Sequence, residues 1–268
     1  GSGIKSALGL ARLTLADVPE VVSLAHTFDN PVAIARYSDP LREIGVVRVS
    51  EVTADSVRLA IQRPDYLDPA YHPVEVTLLV AEAGAYMIGE NTFVQAGTID
   101  TSRATVTYDT PFDAPPAVFA QVQTENDPGF VITRYRQSDA DAFEVSLQQE
   151  EAQQAFGSHP VETVGWLAVS TGTDALGDGL GDLGAVEAAR LGAVVDEEEY
   201  AVTFASDLGA TPEVLVSLAS RTGPDPAFAH LIDVSPSGFD VFVQEEQSRD
   251  AELSHFPEDI HYLAIENE

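Results

Sequence analysis

Phe143-Glu144-Val145-Ser146-Leu147-Gln148 alternates apolar and polar residues with period two, the pattern of a strand that buries one face. Val57-Arg58-Leu59-Ala60-Ile61-Gln62 and Phe239-Asp240-Val241-Phe242-Val243-Gln244 repeat the pattern, and each stretch ends on glutamine. Ten or eleven residues later comes His72-Pro73-Val74-Glu75, His159-Pro160-Val161-Glu162 or His255-Phe256-Pro257-Glu258, leading into another apolar run. Phe143 and Phe239, His159 and His255, and Ala168 and Ala264 are all 96 positions apart, so the last two copies align without a gap. A period of this length sets the architecture.

Three copies imply units of roughly 85–95 residues, near the lower end for self-sufficient domains. The expected division is 1–84, 85–172 and 173–268, the last beginning with a glycine- and aspartate-rich linker. Within each unit, short β-rich runs lie between turn residues: 10–15, 21–24 and 32–35, then 94–99, 104–108 and 118–122, then 191–195, 200–204 and 214–218. A polar loop follows, then a strand carrying Arg48, Arg134 or His230, then the alternating strand. The fold class is therefore all-β, with three tandem six-stranded antiparallel sandwiches. The best helix candidate is 186–190, in the second linker.

The final strand of each unit is apolar on both faces. Val164, Trp166 and Ala168 point one way, while Gly165, Leu167 and Val169 point the other. Val76, Leu78 and Val80 oppose Thr77, Leu79 and Ala81, and His261 makes the third copy less regular. A strand with one solvated face would alternate with polar residues. One face fills its own core and the other needs a neighbour, so the units are expected to pack around a pseudo-threefold axis within one chain.

Acidic residues number 44 against 13 basic ones, only one of them a lysine, for a formal charge of −31. Dispersed among strands of ordinary apolar content, such an excess fits a surface adapted to molar salt, where a Debye length of about 3 Å removes self-repulsion. The expected source is an extreme halophile or its virus. No basic stripe exists to bind nucleic acid, and no apolar run reaches membrane-spanning length. There is no cysteine, which excludes disulfides, thiolate metal sites and a cysteine nucleophile.

At Val234-Ser235-Pro236-Ser237-Gly238-Phe239 and Tyr262-Leu263-Ala264-Ile265-Glu266-Asn267 the third unit resembles an H-type lectin domain. The second carries the same frame in Phe112, Pro115-Pro116, Val118, Phe143 and Gly165-Trp166-Leu167-Ala168, and the first carries it most weakly. The resemblance implies a six-stranded antiparallel sandwich, assembly as trimers, and sugar bound near the junction of neighbours. The family's tryptophan-histidine sugar pair, just after the alternating strand, is replaced by Pro64-Asp65, Glu150-Glu151 and Glu246-Gln247. Any glycan contact here would be made by other residues. Trp166 has Tyr262 and Leu78 as counterparts and reads as core.

The residues expected to meet a ligand are Arg36, Asp39, Asn126, Asp127, Arg221 and Asp225, polar groups on short loops that a rigid sandwich positions. Arg48, Arg134 and His230 are added to them; these basic groups fit an acidic ligand, the nearby Gln62, Gln148 and Gln244, or the surplus carboxylates. The triplicated His and Glu suit a metal ligand with its orienting carboxylate, and suit equally a hydrogen bond at a strand entrance; recurrence in every unit favours the second. Asp174, Asp178 and Asp182, spaced by glycines, offer a weak calcium motif, but a solvated linker accounts for them, and no cofactor is expected.

No phosphate loop, nucleophile elbow or metalloprotease motif is present, and no enzymatic activity is expected. The expected role is a recognition protein on the extracellular face of a cell or on a virion, binding glycans or a host surface as an adhesin or attachment protein would. The alternative is a purely architectural subunit of a virion or surface filament, contacting other structural subunits and no sugar.

Overall fold

The computed structural model describes residues 7–156, 159–176, 183–209 and 212–267. The first segment comprises β1 (Leu8–Leu15), β2 (Glu20–Ser23), β3 (Pro31–Ser38), β4 (Val46–Val52), β5 (Ser56–Gln62) and β6 (Val74–Glu82). They form two antiparallel ladders, β1-β6-β3 and β2-β5-β4. The second segment comprises β7 (Gly84–Met87), β8 (Phe93–Thr101), β9 (Arg103–Thr107), β10 (Ala117–Val122), β11 (Ile132–Arg136), β12 (Ala142–Gln148), a 3-10 turn (Glu151–Phe156) and β13 (Glu162–Val169). Its ladders are β10-β13-β8-β7 and β11-β12-β9. In the third segment are β14 (Gly172–Ala175), β15 (Leu183–Val195), β16 (Tyr200–Thr203), β17 (Glu213–Leu218), β18 (Ala227–Ser235), β19 (Gly238–Glu245) and β20 (Glu258–Asn267). These build β14-β15-β20-β17 and β18-β19-β16, and β18 touches β3 through one parallel bridge, Leu231 to Ser38.

The three alternating stretches are β5, β12 and β19, each the central strand of its ladder. Their apolar positions go inward: Val57, Leu59 and Ile61 to one core, Phe143, Val145 and Leu147 to a second, and Phe239, Val241 and Val243 to a third. Trp166 packs edge-on against Phe143, at the rim of the second core.

A fourth apolar cluster draws on all three segments. Val32, Ile34, Leu79 and Ala81 meet Ala117, Phe119, Leu167 and Val169, and both sets meet Leu215, Leu263 and Ile265. The final strands thus bury both faces. Val76, Leu78 and Val80 fill the first segment's own core, and Leu79 and Ala81 fill the shared one. Burying a large aliphatic side chain stabilises by about 1.5–3 kcal/mol, so four or five such residues per segment rival the roughly 5–15 kcal/mol margin of a whole protein. At Thr77, Gly165 and His261 the shared face turns polar: His261 Nδ1 accepts a hydrogen bond from Val118 N at 2.9 Å, and the Thr77 hydroxyl donates to Glu213.

The helix expected at 186–190 is instead the middle of β15, paired with β20 from Val186–Ile265 to Arg190–His261. Ala, Glu and Arg favour helix locally, but Val186 and Ala188 enter the shared cluster while Ala185 and Ala189 pack on the segment's own core, which needs period two. The linker expected at the start of the third unit is also partly strand. After Gly84 and Gly172, both at φ near +130° where a side chain would be strained, β7 and β14 turn to pair with β8 and β15.

Candidate functional site

The predicted ligand residues converge where one segment's loop meets the next segment's sheet, and they are joined to one another by the chain itself. From β4 of the first segment, Arg48 Nη2 donates to Glu162 Oε1 and to the carbonyls of Thr124 and Asp127, all at 3.0 Å. From β11 of the second, Arg134 Nη2 donates to Glu258 Oε1 at 3.0 Å and to Ser220 O at 3.3 Å, and Nη1 donates to Asp225 O at 2.9 Å. From β18 of the third, His230 Nε2 lies 2.9 Å from Asp39 O in the first. The relation is cyclic: first to second, second to third, third back to first.

The closing glutamine of each alternating strand follows the same course. Gln62, Gln148 and Gln244 each donate through Nε2, at 2.9 Å, to the carbonyls of Pro128, Pro224 and Arg42. Each glutamine sits on the strand beside the basic residue and reaches the same loop. Its recurrence has a physical reason: an amide is needed to satisfy a carbonyl at the end of every junction.

A buried carboxylate organises each loop from within. Glu162 accepts from Asn126 N, Asp127 N and the Thr124 hydroxyl. Glu258 accepts from Thr222 N, Gly223 N and the hydroxyls of Ser220 and Thr222. In the first segment the corresponding Glu75 pairs with Thr14, and Asp39 takes the role, accepting from Leu41 N, Glu43 N and Tyr71 OH. The histidine of the signature supports the carboxylate: His255 bridges Glu245 and Glu258, and His72 Nε2 is 2.9 Å from Asp39 Oδ1. His159 differs, donating through Nδ1 to Pro160 O.

Burial opposes charge on Glu258, but the hydrogen bonds from His255 and Ser220 together with the Arg134 guanidinium outweigh it and bring its carboxyl down to about 2. Burial lowers Arg134 to about 10 against the pull of Glu258, so both groups are charged at neutral pH. Glu162 and Asp39 are likewise held below the usual carboxylate range, burial being outweighed by the donors of their loops. Burial lowers His230, whose Nδ1 lies 2.8 Å from Gln244 Oε1 and whose Nε2 lies 2.9 Å from Asp39 O.

The structure therefore uses Arg48, Arg134, His230 and Asp39 inside the molecule: their exposures are 5%, 0%, 3% and 0%. This corrects the expectation that they face a ligand. Arg48 and Arg134 are paired with the buried carboxylates Glu162 and Glu258, because an isolated buried guanidinium is costly. Arg36 is also taken up: it donates to the carbonyls of Ala35, Ala120 and Val216, one from each segment, and to Gln121 Oε1. Asn126, Asp127, Arg221 and Asp225 stand at the rims of the junctions, exposed or half-buried.

Just after β12 and β19, carboxylates clasp the preceding segment. Glu150 accepts from Asp65 N at 2.7 Å, and Glu246 accepts from Glu151 N at 2.6 Å. Burial raises Glu150 and Glu151. Asp174 binds Asn91 N and Thr92 N, fastening β14 to the turn before β8. Asp178 and Asp182 lie outside the described residues.

No known protein family's profile matches the chain, and no solved structure matches it. Over 257 residues, 91% of its length, the chain is 26% identical to a stretch of halomucin from the halophile Haloquadratum walsbyi. The chain spans about 3% of that relative's length.

Proposed function

We propose that the chain is a non-enzymatic module of a larger surface protein adapted to molar salt, in which three H-type lectin-like units form an intrachain trimer that recognises glycans or a host surface. The observation that carries this reading is the cyclic junction. One set of contacts, basic residue and glutamine to the next loop, occurs three times and closes on itself, as the interfaces of a homotrimer would. The acid excess supports salt adaptation, and the likeness to part of halomucin, a protein of a halophile whose name speaks of a mucin, supports display at a surface. Repetition of weak sites around one rigid block raises avidity without strong single contacts.

The second reading is architectural: a stiff block within a surface layer, filament or virion that binds no sugar. It is favoured by the burial of Arg48, Arg134, His230 and Asp39 and by the carboxylates that replace the family's sugar pair. A glycan array in molar potassium chloride separates the two. Retention of a defined glycan class is expected for recognition; a blank array, with native mass spectra showing higher assembly, would establish the architectural role in its place.

A further inference from the structure

Only 13 basic residues occur in the chain, yet three arginines border one groove between the second and third segments. Arg136 ends β11, Arg190 lies in β15, and Arg221 stands on the loop after β17, with Ser138, Thr222 and Asp259 between them. The groove is open to solvent and offers about 440 Å³, within the range of pockets that hold a small molecule. Among the described residues, none of the three arginines has a carboxylate within ion-pair distance, although acids outnumber bases 44 to 13.

Their donors are incompletely engaged. Arg190 is held by Pro116 O and by the hydroxyl and carbonyl of Ser138, which fix its plane. Arg221 gives one hydrogen bond, Nη2 to Pro224 O at 3.3 Å, and its Nε is buried without a partner. Arg136 is exposed, and its cross-strand neighbour Glu144 is engaged by Arg103 at 3.0 Å. Burial lowers Arg221, and the nearby Arg136 and Arg103 lower it further against the pull of Glu258 and Asp225; on Arg190, burial is opposed by Asp259, the one carboxylate among the groove's lining residues.

The three arginines come together at one junction, although at the junction of the third and first segments the position of Arg190 is again an arginine, Arg12, opposite Thr77 and paired with Glu213 at 2.7 Å. At the junction of the first and second segments, the loop position of Arg221 is Glu125, following Thr124 as Arg221 follows Ser220, with both hydroxyls on the organising carboxylate. The β15 position of Arg190, opposite His261, corresponds to Thr98 opposite Gly165 in β8. The place of Arg221 therefore needs no arginine for the fold, whereas the place of Arg190 carries one at two junctions.

From this we infer that the groove is a binding site for an oxyanion carried on a sugar-sized body, a carboxylate or sulfate ester, received by the forks of Arg136 and Arg221 with Arg190 behind them. In molar salt a bare Coulomb attraction is screened within a few ångströms, so the selective element is the planar bidentate hydrogen-bond geometry, which chloride cannot match. The inference rests on the recognition reading and names the chemistry of its ligand.

The test is titration of the full chain, in 2 M potassium chloride as a set condition, with sodium glucuronate, with sodium sulfate and with glucose, followed by NMR or calorimetry. Saturable binding of glucuronate and none of glucose is expected. Arg136→Gln with Arg221→Gln should weaken glucuronate about tenfold or more, the loss of charge-assisted forks, while the melt stays in place because neither side chain holds an ion pair. Arg136→Gln alone touches no hydrogen bond of the fold and serves as the check if the double variant is unstable. Binding of glucuronate and sulfate alike assigns the site to the anion itself; glucuronate alone assigns it to an acidic sugar. Absence of binding by both anions, or binding unchanged in the variants, overturns the inference. A neutral glycan retained on the array with the groove silent would leave the recognition reading standing and remove this one.

Discussion

Arg134 and Glu258 are both fully buried and face each other at 3.0 Å, so each offsets much of the cost of burying the other's charge. Arg134→Met should therefore cost about 3–5 kcal/mol in urea unfolding at high salt, because it strands a buried carboxylate. Adding Glu258→Gln should recover part of that loss. His261 contributes a pH dependence of definite sign. Burial first, and then Arg190, lower it to about 3, so the fold prefers its neutral form. Its stabilisation is complete above the unfolded value near 6.5 and is lost as pH falls, by up to about 1.4 kcal/mol per unit. Glu258 acts in the same sense further down, between about 4.5 and about 2. His255 runs the other way: burial is outweighed by Glu258 and Glu245, its value is raised, and its stabilisation is lost as pH rises through it. The variant His261→Asn isolates the first effect. Its melting midpoint should vary less between pH 6.5 and 4 than that of the parent chain.

Within single elements the sequence was largely readable, since β5, β12 and β19 declare themselves by alternation that needs no partner to be seen. The same holds for the two apolar faces of β6, β13 and β20. What escaped were features decided at a distance. The 186–190 stretch has helical composition and becomes strand because β20 pairs with it some 75 positions later, as Ala189 to Tyr262 and Ala188 to Leu263 show. Arg48, Arg134 and His230 stood out as one recurring basic position, but their partners lie 114, 124 and 191 residues away, and no local pattern encodes them. Arg136 and Arg190 went unnoticed because they are neighbours only once two segments meet. An element-scale prediction follows from β10. Phe119 is fully buried in the shared cluster, so Phe119→Ala should cost about 3–5 kcal/mol. Because three segments share that cluster, the loss should lower one cooperative transition; a separate, earlier melt of the second segment alone would contradict the packing.

For the molecule as a whole, a formal charge of −31 opposes compaction wherever it is unscreened. The melting midpoint should fall steeply as potassium chloride is diluted from molar to about 0.01 M, where the Debye length reaches about 30 Å. Circular dichroism reads this directly, and an unchanged midpoint would refute the salt adaptation. The contact between His230 and Asp39 joins residues 191 positions apart. On a ribosome adding about 5–20 residues per second, Asp39 emerges roughly 10–40 s before the histidine that seals its loop. During that interval a nascent chain exposes the apolar faces of β3 and β6 with their neighbour still unmade. Two polysome-bound chains of this sequence can then close on each other in place of themselves, so slow translation or crowded initiation should favour domain-swapped oligomers over the sealed monomer.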